Sequence, residues 1–414
     1  MKSLFLKKKN GVGGLLVSTE TGDETLEYIY HHIFTSDTYA IDLIKELDDV
    51  NNLKWYKPKN GLYINKKIYP FTTPVDLVKF NVIPFFERIK TGLSVLKAKK
   101  ISDYLPMEKE TAKDWLIKNS GEKAYEKLWN PLLRSKFGED ADRVSAVWIW
   151  NKFKLRGNSR DNIASESLGY LNGGFGQLIF KLEKKINEMG GKIYTSHKAI
   201  KIKANGEKRN IEVETEAGIK EFESDIVVAA VGTPVFKDLT QDIDGYTEYK
   251  EKLEQINYKA NICVIFKIKK PLSEYYWTTV CEESPFVLVI EQNNLMNDKN
   301  YDGHVVYLSR YLDEADKLWK SSDEEIYASF TKGLKELYPE FNEEEISEKH
   351  ILKSEYTQPV VEKEYSKLEL EIKTPIENVY LSGMSQIYPE DRGINYAIRL
   401  VYETKDVIKK AEEE

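Results

Sequence analysis

Glycines stand at the ends of short apolar segments at three separate places in the sequence. These places are residues 11–14, residues 232–234, and Gly383 followed by Gly393. Glycine at a strand end lets backbone N–H groups approach a phosphate closely, and a helix N-terminus adds positive potential there. Each place taken singly is ordinary turn chemistry, so their common order along the chain is the informative feature.

Three further side chains have types suited to direct chemistry. His31 and His32 are adjacent, and an imidazole can act as an acid, a base or a hydrogen-bond donor. In a strand the two rings would point to opposite faces, which leaves open that one is packed and the other solvated. Arg392 could hold a phosphate or an anionic substrate group through paired hydrogen bonds, and Asp391 beside it could equally neutralise it.

Composition excludes several classes of protein. The 414 residues carry 61 Lys and Arg against 68 Asp and Glu, a net charge of −7, so there is no global attraction to nucleic acid or to an anionic membrane. Two cysteines, Cys263 and Cys281, and five histidines argue against a disulfide framework and a metal site. No apolar run approaches the ~20 residues of a membrane span, and the N-terminus does not resemble a secretory signal. We expect a cytoplasmic protein.

The elements that must position these residues mix helix and strand. Residues 2–6 predict a short strand, and residues 54–71 predict a hairpin that turns at Asn60-Gly61. The stretch from about 74 to 164 reads as mostly helical. Residues 172–189 predict an amphipathic helix that ends at two glycines.

Two strands in the second half of the sequence have contrasting patterns. The continuous apolar run 226–231 predicts a central strand buried on both faces, whereas the alternation over 259–268 predicts a half-buried antiparallel strand. Near the end, residues 378–383 predict a short strand that stops at a glycine. A helix follows from about Gly393.

This order of motifs resembles the flavin-containing amine oxidase superfamily, in its branch of protoporphyrinogen oxidase-like and phytoene desaturase-like proteins. Gly13-Gly14-Leu15 is similar to the family's Gly-Gly motif, and the segment 30–35 is similar to a His-Ile-Phe motif of UDP-galactopyranose mutases. The segment from Ala199 to Ile202 resembles the strand that passes the adenine. Residues 225–234 resemble a conserved family strand, and residues 378–397 resemble the C-terminal flavin motif.

The resemblance implies an α/β fold with a discontinuous FAD-binding domain of the glutathione-reductase type and a mixed-sheet plus helical substrate domain. The implied boundaries are FAD-binding segments 1–73, 165–240 and 375–414, a helical substrate or cap region 74–164, and a mixed substrate sheet 241–374. The resemblance implies catalytic roles for His31, His32 and Arg392. It implies FAD contacts for Gly11, Gly13, Gly14, Leu15, Ala199, Gly232, Thr233, Pro234, Gly383, Met384, Gly393, Ile394 and Asn395.

The sequence also departs from the family pattern. The family's opening strand, G-x-G-x-x-G turn and helix, about 30 residues, do not precede Gly13. Lys7 occupies the position of the ribose-binding acid, and Met384 replaces an aspartate. We expect the strand between residues 2–6 and 226–231 to be missing, which would leave two strand edges unpaired. Either the assigned start codon is too late, which we favour, or the chain is a remnant that binds flavin weakly or not at all.

Three functions follow from these observations. The first is a FAD-dependent oxidoreductase that takes a hydride from a carbon–nitrogen or carbon–carbon bond of a small molecule. The second is an isomerase similar to UDP-galactopyranose mutase, acting on a sugar nucleotide. The third is a truncated, non-catalytic remnant. We expect no nucleic-acid partner, no membrane span and no metal, and the sequence leaves substrate, electron acceptor and oligomeric state open.

Overall fold

The computed structural model describes residues 3–21, 24–158, 160–162, 165–296, 301–368 and 370–413. In these residues the strands are β1 Leu4–Leu6, β2 Ser18–Thr21, β3 Glu24–Glu27, β4 Ile33–Phe34, β5 Leu53–Tyr56, β6 Asn60–Ile64, β7 Lys67–Pro70, β8 Arg160–Asn162, β9 Ser165–Glu166, β10 Leu168–Leu171, β11 Lys192–Tyr194, β12 Lys198–Asn205, β13 Lys208–Thr215, β14 Gly218–Ser224, β15 Val227–Ala229, β16 Tyr258–Ile268, β17 Trp277–Val280, β18 Leu288–Glu291, β19 His304–Leu312, β20 Ile346–Pro359 and β21 Val379–Leu381.

The helices of the same residues are α1 Thr38–Glu46, α2 Pro74–Lys79, α3 Phe85–Lys100, α4 Ala112–Ser120, α5 Glu122–Ala124, α6 Asn130–Phe137, α7 Ala146–Asn158, α8 Gly176–Glu188, α9 Thr233–Leu239, α10 Thr247–Gln255, α11 Gln292–Met296, α12 Lys317–Lys320, α13 Asp323–Leu337 and α14 Ile394–Glu413. The fold is therefore mixed α/β, as the sequence predicts. No helix of the described residues is apolar over enough length to cross a bilayer.

A seven-stranded mixed sheet forms the largest layer, in the order β20-β16-β19-β18-β17-β6-β7. Only the β17–β6 contact in it is parallel. Strand β16 pairs with β19 on one side and with β20 on the other. Its residues alternate between two cores: Ile262, Val264 and Phe266 pack in the same core as helix α13, whereas Cys263 and Ile265 face the opposite core. The prediction of a half-buried strand is wrong here, because both faces of β16 are covered.

The predicted hairpin turn at Asn60-Gly61 is also wrong. Asn60 and Gly61 lie inside β6, and the turn to β7 is made by Asn65 and Lys66, whose φ angles are 54° and 57°. Two successive residues with positive φ are the signature of a tight hairpin turn that follows the twist of the strands. Strand β5 precedes this hairpin but is not part of it, because it pairs antiparallel with β10.

Two small parallel sheets lie outside the large one. Strand β1 pairs with β11, and β15 pairs with β21. In the described part of the chain no strand pairs with the other edge of β1 or of β15. Leu4, Phe5 and Val228 on these strands are 40%, 42% and 45% exposed. The prediction that 226–231 is buried on both faces is wrong, because the side chain of Val228 is exposed.

The predicted helical stretch from 74 to 164 is confirmed over α2 to α7. Its core is aromatic, and the indole N–H of Trp150 in α7 donates to the carbonyl of Ala98 in α3 at 2.9 Å. Helix α6 contacts β19 of the large sheet, and α7 packs against α3 and α4. This arrangement brings the helical part of the chain to the same place as the start of α14.

Candidate functional site

The turn at Gly13 and Gly14 depends on backbone angles that glycine adopts readily. Their φ angles are 112° and 61°, and Leu16 N–H donates to the Gly13 carbonyl at 3.0 Å. No atom of the described residues lies within 4 Å of a Cβ built on Gly14, so the turn has open space beside it. Leu15 packs at the border of the same apolar core as Ile394 in α14. Gly11 is exposed before this turn.

The ends of β15 and β21 meet through a close backbone contact. A Cβ on Gly383 would lie 2.5 Å from the Val231 carbonyl oxygen, so only glycine fits there. Ser382 N–H also donates to the Ala229 carbonyl at 3.0 Å. Residues 231–234 and 383–384, two of the three glycine-containing places, are therefore neighbours in the fold.

The residues around this contact are held by specific partners. Thr233 N–H donates to the Tyr258 hydroxyl at 3.3 Å, and Pro234 lies in the first turn of α9. The Thr233 hydroxyl is buried without a partner in the described part of the chain. Gly232 packs against the side chain of Tyr356, and Met384 opens a short 3-10 turn.

The remaining predicted cofactor residues lie at the start of α14 and on β12. Gly393 is exposed, and Asn395 is buried and accepts a hydrogen bond from the Ala40 N–H of α1 at 3.2 Å. The Asn395 side chain therefore docks one helix on another. Ala199 lies at an irregularity of β12 and packs against the core formed by α9, β15 and β21.

Arg392 is at the centre of a polar network. Its Nε donates to Gln358 Oε1 at 3.0 Å, and its Nη2 donates to the Tyr311 hydroxyl at 2.7 Å. Gln358 in turn donates to Asp391 Oδ1 at 3.0 Å. Both side chains that hold the guanidinium are uncharged, so these contacts fix its position without neutralising it.

Asp391 is the acceptor for two lysines. Its Oδ2 lies 2.8 Å from Lys136 Nζ of α6 and 2.5 Å from Lys152 Nζ of α7, and its side chain is only 4% exposed. Burial by itself would raise the pKa of Asp391. The charges of Lys136, Lys152 and Arg392 outweigh that effect and hold the pKa well below its ordinary value.

His31 lies beside this network. Its Nδ1 is 2.6 Å from the Ile29 carbonyl oxygen, which can only accept, so Nδ1 carries the proton. Burial lowers the pKa of His31 to about 4, and the charge of Arg392 acts in the same direction. At neutral pH the ring is therefore uncharged, and Nε2 is its basic nitrogen.

His32 has a different environment. Its Nδ1 lies 3.2 Å from the Tyr276 hydroxyl, and its ring packs edge-on against Phe34 and Trp277. Both histidines precede β4 and are not in a strand, so the prediction of opposite strand faces does not apply. The structure brings His31 to Arg392 and places His32 in an aromatic cluster.

Several residues of this site carry no signal in the sequence. Lys152, Tyr311 and Gln358 come from α7, β19 and β20, and no motif joins them to one another or to Lys136 of α6. Tyr30 also belongs here, because it hydrogen-bonds Tyr311 and lies next to His31. These residues can be identified only in the folded chain, where the helices and the large sheet bring them together.

These residues fit one end of a flavin dinucleotide better than the other. Open space beside Gly14 and an unobstructed Gly393 at the start of α14 suit the approach of a ring or phosphate, and the Thr233 hydroxyl has spare hydrogen-bonding capacity. In the ranges that the structure describes, no strand–glycine turn–helix unit stands between β1 and β15 to hold a pyrophosphate. The residues near the start of α14 therefore fit the cofactor. The described residues around β1 and β15 provide no glycine turn that could bind its pyrophosphate.

The sequence model of the family described as flavin-containing amine oxidoreductase matches residues 6–391. The chain belongs to this family. Because the family is defined by its flavin, membership implies a flavin cofactor and chemistry on small molecules. No curated protein matches the chain in sequence.

Solved structures give the same fold. One is a protein from Exiguobacterium sp. 255-15, provisionally assigned as a protoporphyrinogen oxidase, with a TM-score of 0.75 and 16% identity over 100% of this chain and 93% of that one. Reduced UDP-galactopyranose mutase has a TM-score of 0.71 and 15% identity, covering 97% and 89%. Cyclohexylamine oxidase from Brevibacterium oxydans IH-35A has a TM-score of 0.70 and 11% identity, covering 99% and 93%. At these identities the likeness establishes the fold alone.

Proposed function

We propose that this member of the amine oxidoreductase family is a FAD-dependent oxidoreductase that removes a hydride from a carbon–nitrogen or carbon–carbon bond of a small molecule. The observation that carries the proposal is the close contact of Gly383 with Val231, which gathers two glycine-containing strand ends. The family match adds the flavin. Residues of the turn at 13–15, the strand ends at 232–234 and 383–384, and the start of α14 would hold the cofactor.

A bound FAD supplies the two-electron acceptor, which no side chain can provide. The protein's own residues orient the substrate and handle protons. Arg392 is fixed by Gln358 and Tyr311, so it presents a positive charge at a constant position. His31, neutral and with a free Nε2, is a base that can accept a proton from a substrate nitrogen or carbon.

A second candidate is an isomerisation of a sugar nucleotide without net oxidation. The observation that favours it is the guanidinium of Arg392, which is held by the uncharged Gln358 and Tyr311. A guanidinium fixed in this way suits the paired hydrogen bonds of a diphosphate-linked substrate. The two candidates differ in electron balance, because an oxidoreductase consumes an electron acceptor on every turnover and an isomerase does not.

The test is a titration of the purified chain with FAD, followed by flavin absorbance and fluorescence. We expect saturable binding, and we expect Gly393→Val to weaken it without shifting the unfolding midpoint, since a Cβ at this position would make only an ordinary contact, with Tyr396 at 4.0 Å. Gly92→Val in α3, where a Cβ also has room, is the matched control and should bind FAD as the wild type does.

A chain that stays colourless at saturating FAD would contradict the proposal and favour a non-catalytic role. If FAD binds, anaerobic mixing with amines and with sugar nucleotides separates the two catalytic candidates. Bleaching of the oxidised flavin by substrate alone supports the oxidoreductase. Turnover that occurs only after chemical reduction of the flavin, with no loss of reducing equivalents, supports the isomerase.

A further inference from the structure

Helix α3 turns small residues to the protein and large apolar residues to solvent. Its buried residues are Thr91, Ser94 and Ala98, and the Ser94 hydroxyl donates to the Thr91 carbonyl at 2.7 Å. At 3.6 residues per turn, its exposed apolar side chains cover an arc of about 100° opposite these residues. A surface helix of a globular protein normally has the reverse arrangement. We call the exposed side chains the apolar stripe: Phe85, Phe86, Ile89, Leu93 and Leu96.

The apolar stripe is wide and unshielded. Phe86 is 78% exposed and Leu93 is 58% exposed. Helix α2 packs along one flank, where Arg88 Nη1 donates to the Val78 carbonyl at 2.7 Å, and it adds the exposed side chains of Val75 and Val78. Exposed apolar side chains that stand singly are common on proteins, whereas a continuous patch marks a surface that contacts another body.

Lysines border the apolar stripe on both sides. Lys90 and Lys97 lie on one side of the helix, Lys99 lies on the other, and Lys100 follows at its end. All four are exposed. Lys97 Nζ donates to the amide oxygen of Asn119 at 2.7 Å, and none of the four forms an ion pair with a carboxylate of the described residues. The rim of the stripe is therefore positively charged.

The acids near this helix interact with other groups. Glu87, the only acid of α3, accepts from the Ala124 N–H of α5 at 2.6 Å. The acids of the adjoining segments either accept from backbone N–H groups or lie next to Lys123: Asp76 at the start of α2, Asp103 before Leu105, Asp114 at the start of α4, and Glu122 and Glu126 at α5. None of these carboxylates is therefore paired with the lysines that border the stripe.

Two occupants suit an exposed apolar face of this kind, a second copy of the chain and a lipid bilayer. In a two-fold pair the stripe of one copy would lie against the same stripe of the other, so the lysines of both copies would approach each other. Like charges opposed in this way weaken binding. The headgroups of anionic lipids are instead complementary to the lysines, and the acyl chains beneath them accept phenyl and leucyl groups.

We propose that α3, with α2 beside it, docks the protein onto the surface of an anionic lipid bilayer. The helix lies in the plane of the interface, with the apolar stripe among the acyl chains and Lys90, Lys97 and Lys99 at the headgroups. Its 16 residues are fewer than the ~20 that cross a bilayer, so the attachment is peripheral. The chain as a whole carries a charge of −7, so the attraction is confined to this face.

The test is co-sedimentation of the full chain with sucrose-loaded vesicles of two compositions, pure phosphatidylcholine and an equimolar mixture of phosphatidylcholine and phosphatidylserine. We expect saturable binding to the mixed vesicles. Binding to pure phosphatidylcholine should be weaker by about tenfold or more, because each lysine near an anionic surface adds to the attraction.

Phe86→Gln combined with Leu93→Gln should lower partition into the mixed vesicles by about tenfold or more, because two large apolar groups no longer enter the acyl region. The matched control is Phe180→Gln combined with Met189→Gln, which removes two apolar side chains of similar exposure, 68% and 77%, at α8. It should bind as the wild type does. Circular dichroism checks that each variant is folded, and Leu93→Gln alone replaces the double variant if the latter is not.

The lysines are tested separately from the apolar side chains. Lys90→Gln combined with Lys100→Gln should lower binding to the mixed vesicles by about tenfold and leave binding to pure phosphatidylcholine unchanged. Lys192→Gln combined with Lys220→Gln makes the same change of net charge at exposed positions outside α3, and it should keep the wild-type preference for the mixed vesicles.

Absence of vesicle binding, equal binding to both kinds of vesicle, or an equal loss in the control variants would overturn the proposal. Analytical ultracentrifugation of the full chain without lipid tests the other occupant. A dimer that dissociates in the Phe86→Gln, Leu93→Gln variant, in a chain that does not bind vesicles, would assign the stripe to a second copy and contradict the bilayer. Neither measurement depends on flavin, so a failure here is distinct from a failure of the proposed function.

Discussion

Asp391 accepts a hydrogen bond from Lys136 at 2.8 Å, although 255 residues separate the two along the chain. The contact joins the helical region to the segment that precedes α14. The second oxygen of Asp391 accepts from Gln358 of the large sheet, so one carboxylate connects three parts of the fold. Fold stability and the geometry of the site therefore depend on the same group.

Replacement of this carboxylate should be strongly destabilising. In Asp391→Asn the two lysines and Arg392 lose a buried counter-charge, and we expect the free energy of unfolding to fall by about 3–5 kcal/mol, as for other broken buried pairs. Urea unfolding at pH 7 measures it. Glu390→Gln, which removes the partly exposed pair with Arg399, is the control and should cost less than about 1 kcal/mol. Equal losses in the two variants would contradict a special role for Asp391.

Glu27 should make stability fall as the pH rises. It is fully buried, accepts from Tyr170 and from the Phe175 N–H at the start of α8, and burial raises its pKa to about 7. The folded protein therefore keeps this proton to higher pH than the unfolded chain does. Its contribution is complete below about pH 4.5, the ordinary value, and is lost between there and about pH 7.

Urea unfolding of Glu27→Gln between pH 4.5 and 8 tests this expectation. A shift from 4.5 to about 7 corresponds to about 3 kcal/mol of pH-dependent stability, which the neutral amide should abolish. Burial also raises the pKa of Asp37, to about 6. Because Asp37 is present in both proteins, the difference between Glu27→Gln and the wild type reports the contribution of Glu27 alone. Glu20→Gln on the exposed side of the same hairpin should keep the wild-type profile. An unchanged profile in Glu27→Gln would contradict the prediction.

His31 should have the opposite effect on the pH dependence of stability and should make the protein less stable as the pH falls. Its folded pKa of about 4 lies below the ordinary value of 6.5, so the unfolded chain binds the proton first. The stability it contributes is complete above pH 6.5 and is lost as the pH falls toward 4. NMR of the ring resonances measures the pKa, and His31→Asn identifies the signal. An imidazole that titrates near 6.5 would show that the ring is solvated.

The open strand edges predict self-association. Val228 is 45% exposed on β15, whose outer edge is unpaired in the described residues. Val228→Lys should slow aggregation, since a lysine on an edge strand blocks edge-to-edge pairing. Light scattering below the unfolding temperature measures it. Phe86→Lys removes an even more exposed apolar side chain, 78% exposed, from helix α3 and should have the smaller effect. A larger effect of Phe86→Lys would show that surface hydrophobicity, and not the open strand edge, causes the aggregation.

The sequence predicts elements whose pattern is local. The predicted helix over 172–189, the strand over 378–383 and the helix from about Gly393 follow from apolar runs, glycines and helical spacing, and the structure confirms them as α8, β21 and α14. The prediction from the sequence fails at β16, because Lys259 and Lys267 suggest that one face of the strand is exposed to solvent. Both lysines are buried and paired, with Asp140 and Asp313 or with Glu348, which lie far away in the sequence.

The site is predicted only in part for the same reason. Arg392, His31 and the glycines belong to recognisable segments. The partners of Arg392, which are Gln358 and Tyr311, lie on two strands whose sequences indicate only burial. Which lysine approaches Asp391 is decided by how α6 and α7 pack, and packing is a property of the whole fold.

The dependence of the site on its last segment has a consequence for synthesis of the protein. Asp391 contacts Lys136 of α6 and Lys152 of α7, Asn395 docks α14 on α1, and Thr404 hydrogen-bonds Ser382 at 2.9 Å. Helices α6 and α7 leave the ribosome long before these residues are translated. In newly made chains Lys136 and Lys152 therefore meet Asp391 only late in synthesis, and messages that stop before codon 391 yield chains that lack this contact.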